Sequence, residues 1–291
     1  MIDIFDKKLS IFSSGSGCLT TGLIWNSIGP MFKILPALLL FFSPFLHSAE
    51  SPKILILVVA SDNLPVYHEL QKGWRSYMRS DPEHIEAYFV KANPNLLAPV
   101  EIKDDTIWVR TSAEASHILH KTISALEFLL ERINNEFNYV IRTNLSTFYI
   151  YPRLLDFCKT LPPAGCYCGD NTGGDSIIGS GAGIIFSSDV IDFLVESKAQ
   201  YINTRDSVDD CVIGFFLKKY NILLNRHYKI NIESLSDWHH YKHNFPDNIF
   251  QVRVKTNTAD EYGRLPNDMT VYSGLCDMFY NSDKNEEHPG K

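Results

Sequence analysis

Two adjacent carboxylates, Asp209 and Asp210, stand directly before the run Cys211-Val212-Ile213-Gly214-Phe215-Phe216-Leu217, which closes on Lys218-Lys219. Acid at the start and base at the end suit a helix, whose dipole favours negative charge at its N-terminus. A carboxylate held there stays ionised and oriented, so it can take a proton from a hydroxyl in a transfer reaction. Plain helix capping is the other use of the same placement. Of the two, Asp210 is favoured as the proton acceptor, with Asp209 one register away. Three basic residues, Arg75, Lys121 and Arg142, have the chemistry to meet a diphosphate. The planar fork of arginine donates two hydrogen bonds at once to phosphate oxygens. Taken singly, each also reads as a solvated surface charge.

Further chemistry sits in the run Trp238-His239-His240-Tyr241-Lys242-His243. Its histidines can meet phosphate or a metal, and its aromatic faces suit sugar rings. The acidic partner of the common zinc helix is missing, and a His-rich surface loop is the competing reading.

The elements that must position these groups follow from the apolar pattern. Residues 53–60 form a continuous apolar run of the kind that fills a strand buried on both faces of a parallel sheet. The run ends at Ala60, and Ser61-Asp62 follow. Ligands in open α/β sheets sit at the carboxyl ends of strands, where Asp62 can accept from a ribose or a base; capping the next helix is its alternative. A helix is expected over 64–79, strands over 85–90 and 106–109, and a long helix over 114–137, where apolar residues recur at three- and four-residue steps. A strand over 138–143 completes a strand–helix–strand alternation, which argues for an α/β sheet. Pro, Gly, Cys and Asp mark 161–180 as loop. Then come a strand at 181–186, helices over 190–196, 209–219 and 268–280, and a strand over 249–255.

The motif order resembles the β1,3-glycosyltransferases and Fringe-type transferases of the GT-A fold. The likeness is carried by Trp74-Arg75, Lys121-Thr122, Tyr139 through Phe148, Ser180-Gly181-Ala182-Gly183-Ile184 and Val208 through Gly214. It spans roughly residues 53–243 in order and flanks, without close identity. The resemblance implies one nucleotide-diphospho-sugar transferase domain with a mostly parallel sheet flanked by helices. It implies a nucleotide-sugar donor and a glycan or glycoconjugate acceptor. Ala60, Ser61, Asp62, Arg75, Lys121, Arg142, Asn144 and Ser146 fall on the donor side. Gly181, Ala182 and Gly183 fall on the acceptor side, where small residues let a sugar approach the backbone. Asp209-Asp210 matches the acidic pair that carries the catalytic base, and His239, His240 or His243 matches a late histidine.

One departure matters. Where the family has an acidic triplet that holds a divalent metal on the donor diphosphate, this chain has Asn144-Leu145-Ser146. Magnesium and manganese favour hard, anionic oxygen ligands. A tightly bound metal is therefore not expected, and Arg142, Lys121 and Arg75 would balance the diphosphate in its place. The stretch Phe250-Gln251-Val252-Arg253-Val254-Lys255, and Arg264 with Asp268, fall outside the resemblance, and their spacing assigns them no place.

Composition sets the remaining bounds. The net charge is -7, from 34 acidic and 27 basic residues, a poor match to nucleic-acid binding, which needs a basic face. Residues 1–50 read as a leader: Lys33 precedes an apolar run over 34–46 and a small residue before a polar break. That is a secretory signal or a signal-anchor, with Met31 as an alternative start, and it implies export or membrane attachment. The transferase-like region covers 51–281, and 282–291 reads as a disordered tail. Past Cys18, five cysteines remain, an odd number that leaves at least one unpaired beside one or two disulfides. No G-x-G-x-x-G, P-loop or G-x-S-x-G motif occurs, which weighs against nucleotide oxidoreductases, P-loop ATPases and α/β hydrolases. A degenerate transferase kept as a glycan-binding or assembly module is the alternative to an active enzyme.

Overall fold

The apolar run after Lys53 becomes β1 (Ile54–Val59), and its alternation explains the layers. Ile54, Ile56 and Val58 point into one apolar core, Leu55 and Leu57 into a second. A strand buried on both faces needs helices on both sides, and the chain supplies them. The computed structural model describes residues 50–171, 177–204, 208–256 and 263–281. The expected leader up to residue 49 and the tail from 282 lie outside those residues. No helix among the described residues is long and apolar enough to cross a membrane.

In chain order, β1 is followed by α1 (Pro65–Tyr77), β2 (Ile85–Ala92), β3 (Val100–Lys103), β4 (Thr106–Val109), α2 (Ile118–Phe128), α3 (Leu130–Glu136) and β5 (Tyr139–Asn144). Next come β6 (Thr147–Tyr149), α4 (Tyr151–Cys158), β7 (Tyr167–Asn171), β8 (Gly179–Ser187), α5 (Ser188–Glu196) and α6 (Asp209–Lys219). The chain finishes with β9 (Asn225–Arg226), β10 (Ile230–Ile232), α7 (Leu235–His243), β11 (Gln251–Val254) and α8 (Leu265–Phe279). Eight strands form one sheet in the order β3-β4-β2-β1-β5-β8-β7-β9, and three form a second, β10-β11-β6. The large sheet is mixed: four of its pairings are parallel (β1–β2, β1–β5, β2–β4, β7–β9) and three antiparallel (β3–β4, β5–β8, β7–β8). The expectation of a mostly parallel sheet holds only for its β4-β2-β1-β5 half.

Position of the site follows from this topology. β1 lies between β2 and β5, parallel to both, because the chain leaves β1 in one direction and returns to β5 on its other side. Such a reversal opens a crevice beyond the carboxyl ends of the strands. β8 runs antiparallel to β5 with Thr143 opposite Gly183, so its small-residue start lies beside the end of β5. β6 and β11 pair antiparallel with Arg253 opposite Thr147, which brings the basic stretch back to the same end.

Several local expectations change. The long helix expected over 114–137 is two, broken at Leu129, where ψ is 2°. The bend leaves Leu129 and Ile133 both buried while Phe128 turns outward. Trp238 is not in a loop: α7 is capped by Ser234, whose hydroxyl accepts from Asp237 N–H, and Trp238 is buried directly over Gly274 of α8. The five cysteines of the described residues are unpaired thiols here, not disulfides. Burial pushes the thiols of Cys166 and Cys168 up to about 12, which keeps them in the unreactive protonated form.

Candidate active site

A cavity of about 440 Å3 opens at the crevice, within the range of small-molecule sites. β1 ends in its wall with Val59, Ala60 and Ser61; α2 contributes Ile118 and Lys121; β5 contributes Arg142 and Asn144. β8 lends Ser180, Gly181 and Ala182, α6 lends Asp209 and Asp210, and Arg253, Lys255 and Arg264 close the far side. Five cationic side chains therefore line the cavity against two carboxylates. Arg142 is paired with Asp209 and Arg264 with Asp268; in a chain of net charge -7, a lining with this many cationic side chains still suits an anionic ligand.

The floor is built around one buried ion pair. Arg142 Nη2 donates to Asp209 Oδ1 at 2.8 Å and lies 2.7 Å from Oδ2, and the two side chains are 5% and 2% exposed. Burial raises the Asp209 carboxyl above its ordinary value, opposed by Arg142 and reinforced by Asp210. Arg142 also donates to the Gly181 carbonyl. Asp210, one residue on, turns differently: its Oδ2 accepts from Gly181 N–H at 2.8 Å and no cation pairs with it among the described residues. Arg142 and Asp210 meet at one point. A Cβ added to Gly181 would stand 2.7 Å from Arg142 Nη1 and 2.9 Å from Asp210 Oδ2, so glycine is what lets both groups share the wall. Among the described residues, Arg142 Nε and Arg253 Nε are buried with no hydrogen-bond partner, and Asp209 Oδ2 has only its ion pair with Arg142 Nη2.

The positions of the expected acidic triplet do not fit a divalent metal. Asn144 Oδ1 is engaged locally, accepting from Ser146 N–H at 3.0 Å and from the Thr147 hydroxyl at 3.3 Å. Its amide nitrogen donates to the Gly181 carbonyl at 3.2 Å. Leu145 is buried, and its carbonyl accepts from Trp74 Nε1 at 3.2 Å, which ties the turn to α1. Ser146 Oγ accepts from the Arg264 guanidinium at 3.0 Å. No anionic oxygen is offered, and a cation already occupies the third position. Among the described residues, no three His, Cys, Asp or Glu side chains converge as metal ligands do.

Lys121 gives the cavity a pH dependence. It is 4% exposed and donates to the Ala60 carbonyl at 3.1 Å. Burial, then the charge of Arg142, lowers its ammonium to about 8, against an ordinary value of about 10.4. A bound phosphate raises the value again, so the complex holds a proton that the empty cavity releases. Affinity for a nucleoside diphosphate is accordingly highest below about pH 8 and falls as pH rises towards the higher value of the complex. The unliganded protein shows the opposite sign. Its unfolded chain binds more protons between the two values, so the contribution of Lys121 to stability rises across that window. Titrations from neutral to alkaline pH check this: Lys121→Met flattens the Kd profile, and an unchanged profile contradicts the assignment.

Not every residue expected at the site is there. Arg75 points away, captured by Asp105 between β3 and β4 at 2.6 Å, with its guanidinium 4.8 Å over the Phe89 ring. Asp62 is held outside the cavity by Lys91 at 2.8 Å and Gln71 at 2.9 Å. Gly183 faces the second sheet, since a Cβ there would collide with Tyr149 Oη and Gln251 Nε2. His239, His240 and His243 are exposed on α7, outside the cavity lining. In exchange the cavity gains Arg253, Lys255 and Arg264, from the region that the motif order left without a place.

No protein-family model matches the chain, and no curated protein matches it. Among solved structures it is similar to the crystal structure of a glycosyltransferase involved in the glycosylation of the major capsid of PBCV-1. The two share 10% sequence identity and a TM-score of 0.49, over 75% of this chain and 99% of that chain.

Proposed function

We propose that this chain is a glycosyltransferase that moves a sugar from a nucleotide-sugar donor to a hydroxyl of a glycan or glycoconjugate. The observation that carries the reading is the meeting of Arg142 and Asp210 at Gly181, in a cavity where five cations face two carboxylates. A diphosphate leaving group needs positive charge as its bond breaks. The attacking hydroxyl needs a proton acceptor. Both needs are answered within one cavity.

In the proposed step the acceptor oxygen bonds to the anomeric carbon as the bond from that carbon to the diphosphate breaks. Asp210 takes the hydroxyl proton, and the nucleoside diphosphate leaves against Lys121, Arg142 and Arg253. Asp209 is tied to Arg142 and unavailable as a nucleophile. With one unpaired carboxylate among the described lining residues, a single displacement with inversion is favoured over a two-step route through an enzyme-bound sugar. The apolar side at Val59, Ala60, Ala113 and Ile118 suits the base and ribose of the donor. The order of these groups around one cavity supports the GT-A-type, Fringe-like reading of the domain. An exported or membrane-attached location, carried by the leader over 1–50, belongs to the same proposal.

The test is incubation of the whole chain with a panel of nucleotide sugars, reading release of nucleoside diphosphate with and without glycan acceptors. Turnover of at least one donor is the expected result. Glycan binding without turnover of any donor selects the non-catalytic alternative. Binding of no nucleotide sugar, with manganese or without it, removes the proposal.

A further inference from the structure

Arg264 stands immediately before α8 and is 1% exposed, yet it lines the cavity. Three segments hold its guanidinium: α8, the β5–β6 turn and β11. Its Nε donates to Asp268 Oδ2 at 2.6 Å, one turn along α8, and its Nη2 donates to Ser146 Oγ at 3.0 Å and to the Val254 carbonyl at 3.2 Å. Asp268 is itself locked, its Oδ1 accepting from Thr256 N–H at 2.9 Å and from the Thr256 hydroxyl at 2.7 Å. Asp268 is 0% exposed and is not among the residues that line the cavity, whereas Arg264 is. Of the pair, the arginine is therefore the member on the cavity side.

We infer that Arg264 is a built-in cation that takes the place of a divalent metal, so that the donor diphosphate binds without magnesium or manganese. This rests on the donor reading above. Three observations carry it. Asn144, Leu145 and Ser146 offer no anionic oxygen, and their polar atoms are already engaged. A guanidinium keeps its charge at every working pH, and here it is hydrogen-bonded to the very hydroxyl a metal would need. Arg253 and Lys121 flank the same cavity, so the diphosphate meets several cationic donors at once. A metal ion entering this field would be repelled by the charges that replace it.

The test is isothermal titration of the whole chain with UDP, GDP and ADP, once with EDTA and once with manganese chloride. At least one diphosphate binds in EDTA, and manganese changes its Kd by less than about threefold. Binding that appears only with manganese, or tightens more than about tenfold with it, overturns the inference and leaves the donor reading standing. Absence of binding in both buffers overturns both. The double variant Arg264→Met, Ser146→Asp removes the cation and adds an anionic oxygen. It is expected to bind about tenfold more weakly in EDTA and to recover with manganese. A brace for the fold alone would show no such recovery, and its absence contradicts the inference. Ser146→Asp by itself keeps the buried pair and covers the case in which loss of Arg264 unfolds the protein. Its carboxylate offsets the guanidinium and weakens binding in EDTA; unchanged affinity contradicts the inference.

Discussion

Asp210→Asn lowers sugar transfer by about 10²–10⁴-fold, the range associated with loss of a positioned general base, while nucleoside diphosphate affinity stays the same or tightens slightly. The amide is nearly the same size as the carboxylate and its oxygen can still accept from Gly181 N–H at 2.8 Å, while the contact from Cys211 N–H to the other carboxylate oxygen, also 2.8 Å, is given up. Position is kept and basicity is lost. Removing a negative charge from a cavity lined by five cations cannot weaken an anion electrostatically. The loss therefore falls on kcat, with little change in KM. Steady-state kinetics beside a direct titration separates the two effects. Turnover within about threefold of the parent would reassign the base.

Arg142→Met is expected to lower stability by about 3–5 kcal/mol, the range for removing one partner of a buried ion pair. Asp209 is then left with its charge in a site where its side chain is 2% exposed. Both carboxyl oxygens of Asp209 lie within reach of one guanidinium nitrogen, at 2.8 Å and 2.7 Å, so the substitution removes the partner of both at once. The wall loosens as well, because Arg142 also holds the Gly181 carbonyl. Adding Asp209→Asn removes the stranded charge and restores much of the stability without restoring diphosphate binding. Urea unfolding of the single and double variants, set beside titration with a nucleoside diphosphate, checks both halves. A loss in the single variant below about 1 kcal/mol means that the pair is not the floor of the site.

The parts of the fold that local chemistry dictates were legible in the sequence. β1 is apolar throughout, β5 opens on the apolar Tyr139-Val140-Ile141 before it turns polar, and α6 carries acid at one end and base at the other, so their types follow from burial and the helix dipole. Asp209-Asp210, Lys121, Arg142 and the Ser180–Ala182 stretch are brought together because the β1–β5 reversal and the antiparallel β8 deliver them to one end of the sheet. What sequence could not fix was which long-range partner each charged side chain would find. Arg75 carries the right chemistry for phosphate, but the carboxylate of Asp105, thirty residues on, holds it elsewhere. The basic strand shows the reverse. Arg253 and Lys255, both half-buried, alternate with the buried Val252 and Val254, a pattern that marks one polar face. Only the pairing of β11 with β6 turns that face to the cavity. α7 was masked by its polar surface: three exposed histidines and a lysine conceal the single buried anchor, Trp238, whose partner Gly274 lies on α8.

The most direct measurement is a crystal structure of the chain with the nucleoside diphosphate that binds it in titration. The account predicts the pyrophosphate beside Lys121, Arg142, Arg253 and Arg264, with the base towards Ala60 and Ile118 and Asp210 open to the acceptor side. A diphosphate bound outside this cavity, or seated with its phosphates turned away from Arg142, contradicts it.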